Sequence, residues 1–152
     1  MIFSTFFIKI LFYAILVFSK IFGEHIHQDY WFFEGVNENG ANYSLEFENL
    51  TEFLDMAPNT SERVISKSVL VMPNHLGKKS QFKFYKNSVM HPNLEKRYPS
   101  IRSFIGVGIK NPTNRATIIL NGDIIIGSVE TEDGTSHFKS FDIFSENSVL
   151  LV

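Results

Sequence analysis

The residues of this chain best equipped for chemistry are its five histidines, His25, His27, His75, His91 and His137, and its closely spaced carboxylates. Zinc-dependent peptide hydrolysis needs two imidazoles one helical turn apart over a single metal, with a glutamate base between them. No HExxH string occurs in the sequence. His25-Ile26-His27 puts two imidazoles on one side of an extended segment, where a surface metal site is conceivable and a solvated terminal pair is the plainer expectation. His91, before Pro92, is expected in a turn, and His137 within a strand, exposed or at the edge of the core. Among the carboxylates, Glu46 and Glu48 fall on the outer face of an expected strand, Glu130, Glu132 and Asp133 in a hairpin turn, and Glu95 beside Lys96 and Arg97. Glycoside hydrolysis requires two carboxylates converging on one cleft, and these spacings bring no pair together. Gly106-Val107-Gly108 lacks the third glycine and the following helix of a phosphate-binding loop. The chain is therefore expected not to be an enzyme and to hold no cofactor or metal.

Charge and composition narrow the alternatives. A formal charge of −2 and an isoelectric point near 6.2 leave no basic footprint for nucleic acid. There is no cysteine, so the fold is expected to be held by apolar packing without the crosslinks common in small exported domains.

The elements that would position these residues read as sheet with one or two short helices. Asn42 to Glu48 alternates Tyr43, Leu45 and Phe47 against polar positions, the period-two pattern of a strand with one buried face. Asn49 or Thr51 could cap a short helix carrying Phe53, Leu54 and Met56 and ended by Ala57-Pro58. Arg63 to Met72 is expected as a strand, with Gln81 to Val89 its hairpin partner, Phe82 and Phe84 on one face and Lys83 and Tyr85 on the other. Pro92 presets the first position of a short helix over Asn93 to Tyr98, with Leu94 facing inward, and Pro99 stops it. Ile101 to Ile109 is extended, with Gly106 and Gly108 on one parity where a bulge or a close backbone neighbour is plausible. Two further hairpins follow, turning at Asn121-Gly122-Asp123 and Glu132-Asp133-Gly134, with the last strand running from Thr135 to Phe144. The final Ser148 to Val152 either adds a strand or marks an early end. The fold class expected is a single α+β domain built on a mainly antiparallel sheet.

The segment Ser88 to Leu120 carries a family resemblance in its ordered string Ser88-Val89-Met90, Pro92, Leu94, Tyr98-Pro99-Ser100-Ile101, Phe104-Ile105-Gly106-Val107-Gly108-Ile109 and Asn111-Pro112-Thr113. It resembles the amino-terminal prodomain-like region of secreted bacterial zinc metallopeptidases of the reprolysin-like class. The resemblance extends more weakly to Leu54–Pro58 and Gly134-Thr135, and so spans Tyr43 to Phe141. One departure lies at the exit: an Asp-Pro-aromatic step is expected there, and Phe138-Lys139-Ser140-Phe141-Asp142 stands in its place. The resemblance implies a non-catalytic domain that assists folding of a zinc peptidase or occludes its cleft, in cis or in trans, possible as a truncated protease fragment. Without cysteine, a cysteine-to-zinc latency switch is excluded. The alternative from another class is a free-standing secreted or cell-surface binding module.

Residues 1–23 are almost wholly apolar, with an uninterrupted run of nine, Ile10 to Phe18. A bilayer span needs about 20 such residues and a secretory h-region about 7 to 15, so a signal peptide and a secreted or surface location are expected. The late Lys9 and the lack of a small-x-small cleavage site leave a retained anchor as the alternative, the one route to a membrane. A polar and aromatic lead (24–42), the prodomain-like domain (43–144) and a tail (145–152) complete the expected organisation. In the lead, Tyr30 to Phe33 is the densest aromatic cluster, expected as a first core strand, with a partner-docking patch as the alternative. Asn42-Tyr43-Ser44, Asn49-Leu50-Thr51 and Asn59-Thr60-Ser61 would be glycan acceptors in a eukaryotic secretory route and incidental in a bacterial one.

Overall fold

Alternation is strongest where the sheet is most regular. In the computed structural model, which describes residues 27–38, 40–140 and 148–151, the meander β4 (Val69–Pro73), β5 (Lys79–Lys86), β6 (Ile101–Gly108), β7 (Arg115–Asn121), β8 (Ile124–Thr131) and β9 (Gly134–Ser140) is antiparallel throughout. Phe82 and Phe84, then Ala116, Ile118 and Leu120, then Ile125 and Val129 bury one face at every second residue. The opposite face is partly exposed, as a half-solvated antiparallel sheet allows. The two short helices and the predominance of antiparallel strands bear out the expected α+β class.

Four further strands complete the sheet. The aromatic cluster expected as a first core strand opens a hairpin, β2 (Trp31–Asn37) with β3 (Gly40–Leu45), its register broken between Phe33 and Gly35. That break interrupts the period-two signal beyond Phe33 and hides the rest of the strand. Ser148–Leu151 forms β10, inserted between β9 and β3. His27–Gln28, β1, pairs parallel to β4.

The order β1-β4-β5-β6-β7-β8-β9-β10-β3-β2 makes β1 and β2 the two edges, although only Asp29 and Tyr30 separate them in sequence. Gln28 to Trp31 can span only about 11 Å even when extended. The sheet must therefore roll up until its edges nearly meet, which suppresses the free edges an open sheet would expose. Lys79 reaches over β4 to pair with Asp29 at this seam, while Asp29 also accepts from the Trp31 backbone N–H at 3.2 Å. The interior is filled by side chains. Trp31 stacks edge-on against Phe138 and Tyr43, at centroid separations of 5.2 and 6.4 Å.

One end of this barrel is plugged by α1 (Phe47–Asp55), which buries Leu50, Phe53 and Leu54. The helix starts earlier than expected, and neither Asn49 nor Thr51 caps it: Glu46 holds the cap position without a side-chain cap bond. Phe47, Leu50 and Leu54 share one helical stripe, so helical periodicity displaces strand alternation at Phe47. Met56 is exposed.

Other boundaries shift for local reasons. The expected strand Arg63 to Met72 begins only at Val69, because Arg63 adopts the left-handed region (φ 52°) after a 3-10 turn at Thr60–Glu62. Ser66 Oγ then accepts from the Ser68 N–H and the Tyr85 hydroxyl from the Ser66 N–H, giving the backbone side-chain partners in place of a ladder. β5 ends at Lys86, short of Val89. The expected leader (1–23), His25, and the altered exit from Phe141 onward lie outside the described residues.

Candidate functional site

The segment between β5 and β6 is where the structure departs most from an economical hairpin. After Asn87, whose N–H donates to the Ser103 carbonyl at 2.8 Å, the chain leaves the sheet. His91 caps α2 (Pro92–Arg97), its Nδ1 accepting from the Asn93 N–H at 3.3 Å, and Pro92 occupies the first helical position. Lys96 and Arg97 fall in the last turn, where they oppose the helix dipole. Tyr98 ends the helix ahead of Pro99, and Ile101 starts β6.

The residues that carry the resemblance divide by burial. Phe104, Gly106 and Gly108 face the core along β6. A Cβ at Gly106 would press against Phe84, Ala116 and Phe82, and one at Gly108 would overlap the Asn111 carbonyl, so both positions provide the close approach expected of them. Pro112 and Thr113 belong to the β6–β7 turn, where Asn111 Oδ1 accepts from the Thr113 N–H at 3.0 Å and its hydroxyl at 2.7 Å. The other group is not buried. Val89 is 65% exposed, Leu94 44% and Tyr98 48%; Pro92 and Pro99 are exposed, and Met90 and Ile101 are half-buried. The inward Leu94 of the sequence reading is thus corrected: α2, six residues long, has no buried residue.

Val89, Met90, Pro99, Ile101 and Phe104 line a cleft of about 280 Å³ with residues drawn from elsewhere. Asp55 comes from the end of α1, Asn59 from the following loop, and Lys86 and Arg102 from β5 and β6. Arg102 pairs with Asp55, and Ser88 donates to Glu95, closing two sides. Asn59 is held by a parallel bridge to Lys86, whose N–H donates to the Pro58 carbonyl at 2.8 Å. Sequence reasoning missed Asp55, Asn59, Lys86 and Arg102 as neighbours, since they are ordinary surface residue types brought together only by the α1–β5–β6 packing.

The remaining polar residues serve the opposite end. Asn74, buried in the β4–β5 turn, accepts from the Leu76 and Lys78 N–H groups, both at 3.0 Å, and donates to Asp133 at 3.2 Å. Lys78 pairs with Asp133 at 2.7 Å. The His75 N–H donates to the buried Ser136 Oγ at 2.8 Å, and the His75 ring lies 2.9 Å from the same oxygen. Asn111 donates to Glu132 at 2.6 Å, tying in the β6–β7 turn. The hydrogen bond from Lys78, joined by that ammonium's charge and the bond from Asn74, holds the Asp133 carboxyl below its ordinary range. Burial pushes the Tyr43 and Tyr30 phenols up, inside the barrel and at its helical end. Among the described residues no group of three or more His, Asp or Glu side chains is placed to hold a metal ion, and no helix is long and apolar enough to cross a membrane.

No family model, no curated protein and no solved structure matches this chain.

Proposed function

We propose that this chain is an exported, non-catalytic domain that acts by shape on a zinc metallopeptidase, assisting its folding or occluding its cleft, through the surface built by residues 88–102. The observation that carries the reading is the exposure of Val89, Leu94 and Tyr98 beside the cleft. Apolar side chains that contribute nothing to the core of their own domain suit the centre of an interface, where aromatic residues are enriched and charge is sparse. The resemblance of the same string to metallopeptidase prodomains supplies the partner. Binding there would be steric, without a cysteine ligand for the partner's zinc.

The test adds the purified domain to a reprolysin-like metallopeptidase catalytic domain and follows refolding yield and peptidase rate. A raised yield or a lowered rate, lost in Leu94→Asp and Tyr98→Asp, is the expected result. No change in either quantity sinks the reading. A second reading, a free-standing secreted binding module, draws on a different feature: Phe32, Phe33 and Val36 are exposed along edge strand β2, 49%, 60% and 74% respectively. Exposed aromatic and aliphatic side chains on one strand suit the apolar centre of a binding surface.

A further inference from the structure

Three N-x-Ser/Thr triplets fall between Asn42 and Ser61, and the one other Asn-x-Thr in the chain, Asn111-Pro112-Thr113, is disqualified by its central proline. We propose that Asn49 and Asn59 are N-glycosylation acceptors, a modification that requires export by a eukaryotic-type route and that, at Asn59, would set a glycan at the cleft of the proposed function.

The folded structure accommodates a glycan at both. Asn49 lies on the outer face of α1 and Asn59 in the loop after it, and both side chains are exposed. Each Nδ2 makes one recorded hydrogen bond, to Glu46 at 2.8 Å and to Glu62 at 2.7 Å, both carboxylates three residues away. An amide nitrogen carries two hydrogens. Replacing the second with a sugar leaves the native bond in place. Asn42 differs, being half-buried in β3, a strand whose backbone pairs on both sides with β2 and β10.

Timing follows from Thr51. Its hydroxyl is buried without a hydrogen-bond partner once α1 has packed, so the Asn49-Leu50-Thr51 triplet can be read by a transferase only before the helix docks. The donor is a polyprenyl-diphosphate oligosaccharide. The Nδ2–C1 bond forms as the C1–O bond to diphosphate breaks; the diphosphate leaves with the electron pair and the amide proton passes to a base on the transferase.

The full 152-residue chain is expressed from its own start in a eukaryotic secretory host, and its mass is compared before and after peptide N-glycosidase. Loss of two glycans is expected. Asn49→Gln and Asn59→Gln should each remove one, and Ser61→Ala, which leaves Asn59 in place, should match Asn59→Gln. An unmodified chain, whether in the medium or held in the cell, overturns the assignment, as does glycosidase-sensitive mass that persists in the double variant. Peptidase binding by unglycosylated, bacterially expressed chain, in which Asn59 of the cleft is unaltered, reports on the proposed function separately.

Discussion

The two ends of the barrel are closed by different means. At the end formed by the β4–β5, β6–β7 and β8–β9 turns, polar side chains satisfy one another across the turns, with Asn74 at the centre and Asp133, Lys78, Ser136 and Glu132 around it. At the other end, apolar residues of α1 plug the interior while the 87–100 connection carries apolar side chains outward. The first end is spent on its own stability, whereas the second retains surface that the fold does not use. Within one domain, then, polar composition marks the structural end and apolar exposure marks the available one, the reverse of a simple inside-outside expectation.

Substitution separates the ends most sharply inside the helical plug. Leu54 has no exposed surface, and Leu54→Ala is expected to cost about 2–5 kcal/mol by lost transfer energy and cavity formation, read as a shift in the urea unfolding midpoint. Asn74→Ala should follow. It leaves the Leu76 and Lys78 N–H groups without their acceptor, an expected loss of about 1–3 kcal/mol, and hydrogen exchange should rise in the three turns and not in α1.

Acid tests the same end by charge. A carboxyl whose pKa falls on folding adds stability above its unfolded value and loses it as pH drops through the folded one. For Asp133 that window lies below the ordinary 3.8. Stability measured from neutral pH downward should therefore fall less steeply at the acid end in Asp133→Asn than in the parent. The smallest effect belongs to the exposed connection: Leu94→Ser should change stability by no more than about 0.5 kcal/mol while abolishing any effect on a peptidase. A large loss of stability in Leu94→Ser would erase the distinction between the ends.

Local pattern made the regular part of the fold legible. Phe82 and Phe84, the triplet Ala116, Ile118 and Leu120, and the turns at Gly122 and Asp133 are read correctly because two-residue periodicity and turn chemistry depend on near neighbours. The register break at Gly35 ended the same logic partway along β2, past the aromatic cluster, and side-chain hydrogen bonding at Ser66 and Tyr85 shortened β4. Barrel closure was invisible, since it depends on His27 meeting Val69 and on β10 entering between β9 and β3. Of the candidate site, the strand, helix and strand order was legible. The exposure of Leu94 was not, because whether anything covers a six-residue helix is decided by the rest of the molecule.

The position of β10 has a consequence for synthesis. Ser148–Leu151 separates β9 from β3, so the amino-terminal hairpin cannot join the meander until the chain through Leu151 has emerged from the ribosome. Until then β3 and β9 each present an unpaired edge, a state exposed to aggregation and slow to resolve because the missing contacts are distant in sequence. A chain of this design has reason to be kept from collapsing until Ser148–Leu151 is available to join β9 to β3.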